Sequence, residues 1–226
     1  MIAHHEDSEL QLEFDKSQNL HEKFVTPLGT FILPNHEEIN RVLAQAVRDR
    51  EKDQNSGWRR SNQGGWRSGM DLLDWPEVQA TDFRESIESA ICHMIKAVGN
   101  IPEMRAKLSI SAWCNLNRSG AFNMPHNHPK HLWSGVYYCH VDDMAEGGAS
   151  TQGAISLQDP RVGINMLGHP GRCPWGSAVQ LKPMPGLMIL FPSWLVHLVY
   201  PFEGEGERIS IAFNANVESF EILNPL

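Results

Sequence analysis

Two segments, 107–117 and 208–217, alternate apolar and polar side chains residue by residue, and that period of two commits them to β-strands with unlike faces. In the first, Leu108, Ile110, Ala112, Cys114 and Leu116 alternate with Ser109, Ser111, Trp113, Asn115 and Asn117. In the second, Ile209, Ile211, Phe213, Ala215 and Val217 alternate with Arg208, Ser210, Ala212, Asn214 and Asn216. Such strands need helices over the apolar side and a cavity on the polar side, where Arg208 and Ser210 would point into a barrel mouth. Shorter extended segments are expected at 134–141, 154–157, 178–181 and 187–191, separated by Gly, Pro, Asp and Asn.

Helical spacing occurs twice upstream. Ile39, Val42, Leu43, Ala46 and Val47 mark a helix over 35–50, with Asn35 and Glu38 read as a capping pair. Phe83, Ile87, Ala90, Ile91, Met94, Ile95 and Val98 mark another over 81–98, stopped by Gly99. Both are amphipathic and expected to cover one sheet. Helices followed by many short strands predict a mainly β fold with flanking helices, as a barrel or sandwich. The polar, acidic residues 1–24 are read as an N-terminal arm, and 25–226 as a single domain.

Composition narrows the function classes. A net charge of −8 argues against nucleic acid as a general partner. The most apolar stretch, 187–200, is interrupted by Pro192, Ser193 and His197 and is too short to span a bilayer, so no membrane partner is expected. Cys92, Cys114, Cys139 and Cys173 form no paired spacing, and the first residues lack the pattern of a signal peptide; the expectation is a cytoplasmic protein with reduced thiols.

The chemistry-bearing residues concentrate in the second half. His126 and His128, two apart, project to one side of an extended strand and can converge on one ion, with His197 supplying a third imidazole. Eleven residues past His197, Arg208 offers a guanidinium fork that matches a carboxylate, with the Ser210 hydroxyl nearby. The loop 57–68, rich in Gly, Trp and Arg, either packs its tryptophans on the core or edges a cleft where Arg59, Arg60 or Arg67 meets an anion. Asp159-Pro160-Arg161 is a turn or a substrate contact, and Tyr137 and Tyr138 pack in the sheet or reach a ligand. Trp175 belongs to a loop over the barrel mouth or to a contact in a homodimer.

Ser61-Asn62-Gln63-Gly64-Gly65-Trp66, His126-Asn127-His128-Pro129, Ser134-Gly135-Val136-Tyr137-Tyr138, Phe191-Pro192-Ser193-Trp194-Leu195-Val196-His197 and Arg208-Ile209-Ser210-Ile211-Ala212-Phe213-Asn214 occur in that order. Together they resemble a group of small bacterial 2-oxoglutarate/Fe(II)-dependent oxygenases on the double-stranded β-helix, a cupin-like jelly roll. The resemblance implies that His126 and His197 are iron ligands and that Arg208 and Ser210 hold the distal carboxylate of 2-oxoglutarate. Asn115, on the polar face of its strand, is then placed to hydrogen-bond the other end of the co-substrate. The resemblance also implies hydroxylation of a small molecule or a protein side chain, with release of succinate and CO2.

One position departs from the pattern, because His128 stands where the family's usual carboxylate ligand falls. Either three neutral imidazoles hold the ion and the dianionic co-substrate balances its charge, or Asp142, Asp143 or Asp159 supplies a carboxylate from another segment. Two further readings share the histidines: a three-His dioxygenase of the cupin kind without 2-oxoglutarate, and a non-catalytic jelly roll with a closed structural metal.

Overall fold

The computed structural model describes residues 23–53, 60–142, 151–164, 176 and 178–223. Among these, three α-helices, α1 (His36–Asp53), α2 (Pro76–Gln79) and α3 (Phe83–Gly99), accompany eleven strands. The strands are β1 (Gly29–Ile32), β2 (Asn62–Gln63), β3 (Trp66–Arg67), β4 (Met104–Asn117), β5 (Phe122–His126), β6 (Trp133–Val141), β7 (Ile155–Gln158), β8 (Ala178–Leu181), β9 (Leu187–Pro192), β10 (His197–Val199) and β11 (Arg208–Ile222). They form a six-stranded sheet in the order β1-β9-β6-β11-β4-β3 and a five-stranded sheet in the order β2-β5-β10-β7-β8. Adjacent strands are antiparallel. This is the mainly β, double-stranded β-helix architecture anticipated from the strand pattern and the resemblance.

The alternation in β4 and β11 is realised as two different environments. Ala112, Cys114 and Leu116 of β4, with Ile209, Ile211, Phe213 and Ala215 of β11, join the large core beneath α1 and α3. Leu43 and Val47 of α1 and Phe83, Ile87 and Ile91 of α3 complete it, each almost fully buried. Burial of each such side chain stabilises the fold by about 1.5–3 kcal/mol relative to exposure. A second cluster of Tyr138, Ile155, Leu157, Ile189, Phe191 and Leu195 lies on the inner side. Neighbouring residues therefore part company: Tyr137 packs under the helices and donates its hydroxyl to Asn40 Oδ1 at 2.6 Å, whereas Tyr138 faces inward.

Helix ends differ from expectation in detail. Glu38 does not close a capping box; its carboxylate pairs with Arg41 one turn on, and Asn35 sits at φ 56° just ahead of α1. An exposed arginine at i+3 offers that carboxylate a charged partner in place of the backbone amide. At the other helix Gly99 is the last residue, and Asn100 takes the left-handed turn at φ 49°, as asparagine readily does. The short strands β1, β2, β3 and β10 carry too few residues to show a period in the sequence. Almost all of the arm read over 1–24, together with Asp143, Cys173, Trp175, Trp58 and Arg59, lies outside the described residues.

Helix α1 spans 18 residues, and no described helix is long and apolar enough to cross a membrane.

Gly135 in β6 is where the sheet has no room. A Cβ there would meet the Phe213 ring and the Ile189 carbonyl oxygen, the latter at 2.8 Å. Gly135→Ala is expected to destabilise the protein by about 1–3 kcal/mol, the usual cost of overpacking, read as a lower urea midpoint; an unchanged midpoint would contradict this packing.

Candidate metal centre

Between the two sheets lies a cavity of about 350 Å³. Its polar floor is a set of cross-strand rows. Arg67 of β3 opposes Asn115 of β4, which opposes Ser210 of β11, which in turn opposes Tyr138 of β6. Directly paired residues project to the same side of a sheet, so these four side chains share the cavity face, and all four line it. One row away, Trp113 opposes Ala212 and Val136, and in the other direction Asn117 opposes Arg208.

The histidines meet on the opposite sheet. His126 ends β5 and His197 begins β10, and register places them directly across from each other. His128 lies just past β5, where its amide donates to the Ser193 carbonyl at 2.9 Å. The candidate ligand atoms of the three residues all fall within 4.8 Å of one another. Ring centroids are 4.3 Å apart for His126 and His197, 5.0 Å for His126 and His128, and 5.2 Å for His128 and His197.

Carbonyl contacts fix the tautomers. Nδ1 of His126 lies 2.7 Å from the Met124 oxygen, and Nδ1 of His197 lies 2.9 Å from the Leu195 oxygen. A carbonyl only accepts, so each Nδ1 carries the proton and each Nε2 keeps a lone pair for an ion. The Ser61 hydroxyl sits 3.2 Å from His126 Nε2. Ser193 ties the segments together: its hydroxyl is 2.7 Å from Ser134 Oγ, which donates to Asn214 Oδ1 at 2.8 Å, and its carbonyl holds His128.

Electrostatics keep the imidazoles neutral. Burial, then the neighbouring His197 and His126, push His128 down to about 3. Burial and His126 push His197 down to about 4, and burial lowers His126 as well. Neutral imidazole is the form that binds a metal.

Arg208 is the largest fully buried side chain of the described residues. Its Nη1 donates to the Gly153 carbonyl at 2.7 Å, while its Nε has no partner. The Tyr138 hydroxyl and Asn115 Oδ1 are likewise buried without partners. Glu207, next to Arg208 in the sequence, binds Arg48 and Arg118 instead. No Asp or Glu is among the described lining residues. Asp142 is committed to the Glu207 amide and His140, and Asp159 to Arg161.

These atoms fit an anion with a metal at the other end. A buried guanidinium with an unused N–H and a nearby unpartnered hydroxyl would cost several kcal/mol if left unpaired, and a carboxylate offers what both lack. Three imidazoles bring no negative charge, so a dianion chelating the ion also balances it. Ferrous iron with 2-oxoglutarate meets both demands.

The sequence candidates His126, His128, His197, Arg208, Ser210 and Asn115 all line this one cavity. From the loop 57–68, Arg60 and Arg67 line it too, and Trp66 is buried. Of the tyrosines, only Tyr138 lines the cavity. Trp113 and the Gly153 carbonyl were not anticipated as parts of the site. The first shared the polar face of a recognised alternation, whereas backbone atoms leave no mark in a sequence.

Residues 111–214 match a family model described as "Putative 2OG-Fe(II) oxygenase". No curated protein matches the chain. Among solved structures, a Pseudomonas putida prolyl-4-hydroxylase is similar with a TM-score of 0.53 at 17% identity, covering 85% of this chain and 93% of its own. A Trichoplax adhaerens prolyl hydroxylase in complex with a hypoxia inducible factor oxygen degradation domain peptide fragment gives 0.56 at 14%, covering 83% and 82%. HygX from Streptomyces hygroscopicus, with nickel and 2-oxoglutarate bound, gives 0.51 at 13%, covering 84% and 83%. At such identities these likenesses speak for the fold.

Fold, cavity and family match together define an Fe(II)- and 2-oxoglutarate-dependent oxygenase. The stretch 111–214 that resembles the putative 2OG-Fe(II) oxygenase family contains His126, His128, His197 and Arg208.

The depressed histidines have a consequence for stability. Each binds a proton more readily unfolded, at about 6.5, than folded, so their contribution is complete above pH 6.5 and is lost as pH falls toward 4 and 3. The urea midpoint of metal-free protein is expected to drop across that window, and His128→Gln to flatten the drop. Equal slopes for both proteins would contradict the assignment.

Proposed function

We propose that the protein hydroxylates an organic substrate, with His126, His128 and His197 holding ferrous iron and Arg208, Ser210 and Tyr138 holding the distal carboxylate of 2-oxoglutarate. The observation that carries this reading is the burial of Arg208, with no carboxylate among the described lining residues, in the same cavity as three convergent neutral imidazoles. Asn115, with its unpartnered Oδ1, is positioned on the same floor to orient the co-substrate or a water beside it.

When bound, the iron and its co-substrate supply the activation of dioxygen: one oxygen atom enters succinate as CO2 leaves, and the other enters a substrate C–H bond. The chain supplies position and dryness. Arg208, anchored by Gly153, presents a fixed donor in place of mobile water, and Ser210 and Tyr138 add hydroxyls beside it. Val136, Ile155, Phe191 and Val199 line the cavity with apolar surface and strengthen the charge interactions inside it. The carbonyls of Met124 and Leu195 keep the ligand nitrogens of His126 and His197 deprotonated and aimed.

A dioxygenase that dispenses with 2-oxoglutarate would leave Arg208 without an anion. Free Cys92, Cys114 and Cys139 support a reducing, cytoplasmic setting.

Incubation with Fe(II), 2-oxoglutarate and dioxygen is expected to form succinate, and His126→Ala to abolish both metal retention and succinate. Arg208→Ala should weaken 2-oxoglutarate binding by roughly 100-fold, the scale for truncating a buried charged partner, with metal affinity little changed. Unchanged 2-oxoglutarate affinity would remove Arg208 from the site, and absence of succinate from an iron-loaded protein with any co-substrate turnover assay would sink the reading.

A further inference from the structure

The cavity holds more positive charge than iron and 2-oxoglutarate together require. Arg67 is 4% exposed, and its Nη1 is buried with no hydrogen-bond partner. Its guanidinium lies over the Trp113 ring, 4.7 Å from the centroid. Arg60 lines the same cavity from its exposed rim. Neither arginine pairs with a carboxylate among the described residues, and the cavity lining contains none. Other arginines of this chain, such as Arg41, Arg48, Arg50 and Arg118, have glutamate partners.

A charge left so is costly. Desolvation, aggravated by Arg60, brings the Arg67 guanidinium down to about 10, and the indole face offsets only part of that cost. One strand, β4, lies between Arg67 on β3 and Arg208 on β11: Arg67 pairs with Asn115 of β4, and Arg208 pairs with Asn117, two residues further along the same strand. With adjacent strands about 4.8 Å apart, the two guanidinium-bearing strands are roughly 10 Å from each other. A single 2-oxoglutarate whose distal carboxylate sits on Arg208 and whose other end chelates the metal has no third anionic end for Arg67.

We infer that Arg67, stacked on Trp113 and assisted by Arg60 at the rim, is the subsite for an oxyanion of the substrate, a carboxylate or a phosphate. This rests on the co-substrate reading above and names the substrate class for the same site. Ferrous iron and 2-oxoglutarate cancel each other's charge, and an anionic substrate then answers the arginines that remain. The planar fork of Arg67 can hold two oxygens of one group, and its burial makes each bond stronger than at the surface. Arg60, in solvent, attracts the anion toward the mouth. The substrate's anion would be anchored beside Trp113, close to His128, whose ring centroid lies 5.7 Å from that of Trp113. That fixes which carbon approaches the metal.

The test is calorimetric titration of the full chain, loaded with Zn(II) in place of iron and saturated with 2-oxoglutarate, using benzoate, phenyl phosphate and the neutral benzamide as probes. The binding of 2-oxoglutarate is measured first in the same cell; its absence would defeat the co-substrate reading without touching the anion result. We expect benzoate or phenyl phosphate to bind at least about tenfold tighter than benzamide, the stronger of the two identifying the oxyanion. Arg67→Gln should remove that preference while leaving 2-oxoglutarate affinity within about twofold, and Arg67→Lys should restore it only partly. Arg60→Gln, at an exposed position, should weaken the same anion several-fold and gives a second reading if Arg67→Gln does not fold. Equal binding of benzamide and the anions would overturn the inference. So would an Arg67→Gln protein that loses 2-oxoglutarate and the probe together, which would place Arg67 on the co-substrate.

Discussion

The pairing of β4 with β11 organises this molecule. Fourteen residue pairs run along it in register, interrupted by one irregularity between Val217 and Ser219. Because successive side chains go to opposite faces, one backbone ladder builds both the core under the helices and the floor of the cavity. A slip by one residue would turn Arg208 and Asn115 into the helix-covered core and Ile209 and Cys114 into the cavity. Fold and site therefore have the same origin. β6 extends the pattern on the far side of β11, placing Tyr138 beside Ser210 and Tyr137 beneath the helices.

The smaller sheet supplies the histidine side. The opposed pair His126 and His197 brings together two strands that contain only five and three residues, and neither would be expected to hold its place alone. Ser193 and Ser134 bind across to Asn214 on β11, so the turn that carries His197 is tied to the larger sheet. Three neutral imidazoles and two buried guanidinium groups, those of Arg67 and Arg208, then share one low-dielectric space with no carboxylate among the described lining residues. Such a space is built for anions, and the polar groups left unpartnered at Arg208, Tyr138, Asn115 and Arg67 mark where they go.

Much of this was legible in the chain because its signals were local and periodic. The faces of 107–117 and 208–217, the two long helices and the spacing of His126 and His128 follow from residue-to-residue geometry alone. Other parts depend on partners far away in sequence. Strands of two to four residues show no period, and the carbonyls of Gly153, Met124 and Leu195 carry no side-chain signature. Arg67 read as one of several loop arginines, because only the fold lays it on Trp113 and beside Asn115. The capping pair at Asn35 and Glu38 failed for a similar reason: Arg41, one turn along, offered Glu38 a better partner than the backbone did.

The central claim is that a three-imidazole ferrous site and Arg208 bind one 2-oxoglutarate between them. Anaerobic titration of 2-oxoglutarate into the Fe(II)-loaded protein tests it directly, followed by visible absorption. The account predicts a weak charge-transfer band that grows to saturation at one co-substrate per chain and is lost when any of His126, His128 or His197 is replaced. An iron-loaded protein that shows no such band, or one that keeps it after His128 is replaced, would contradict it.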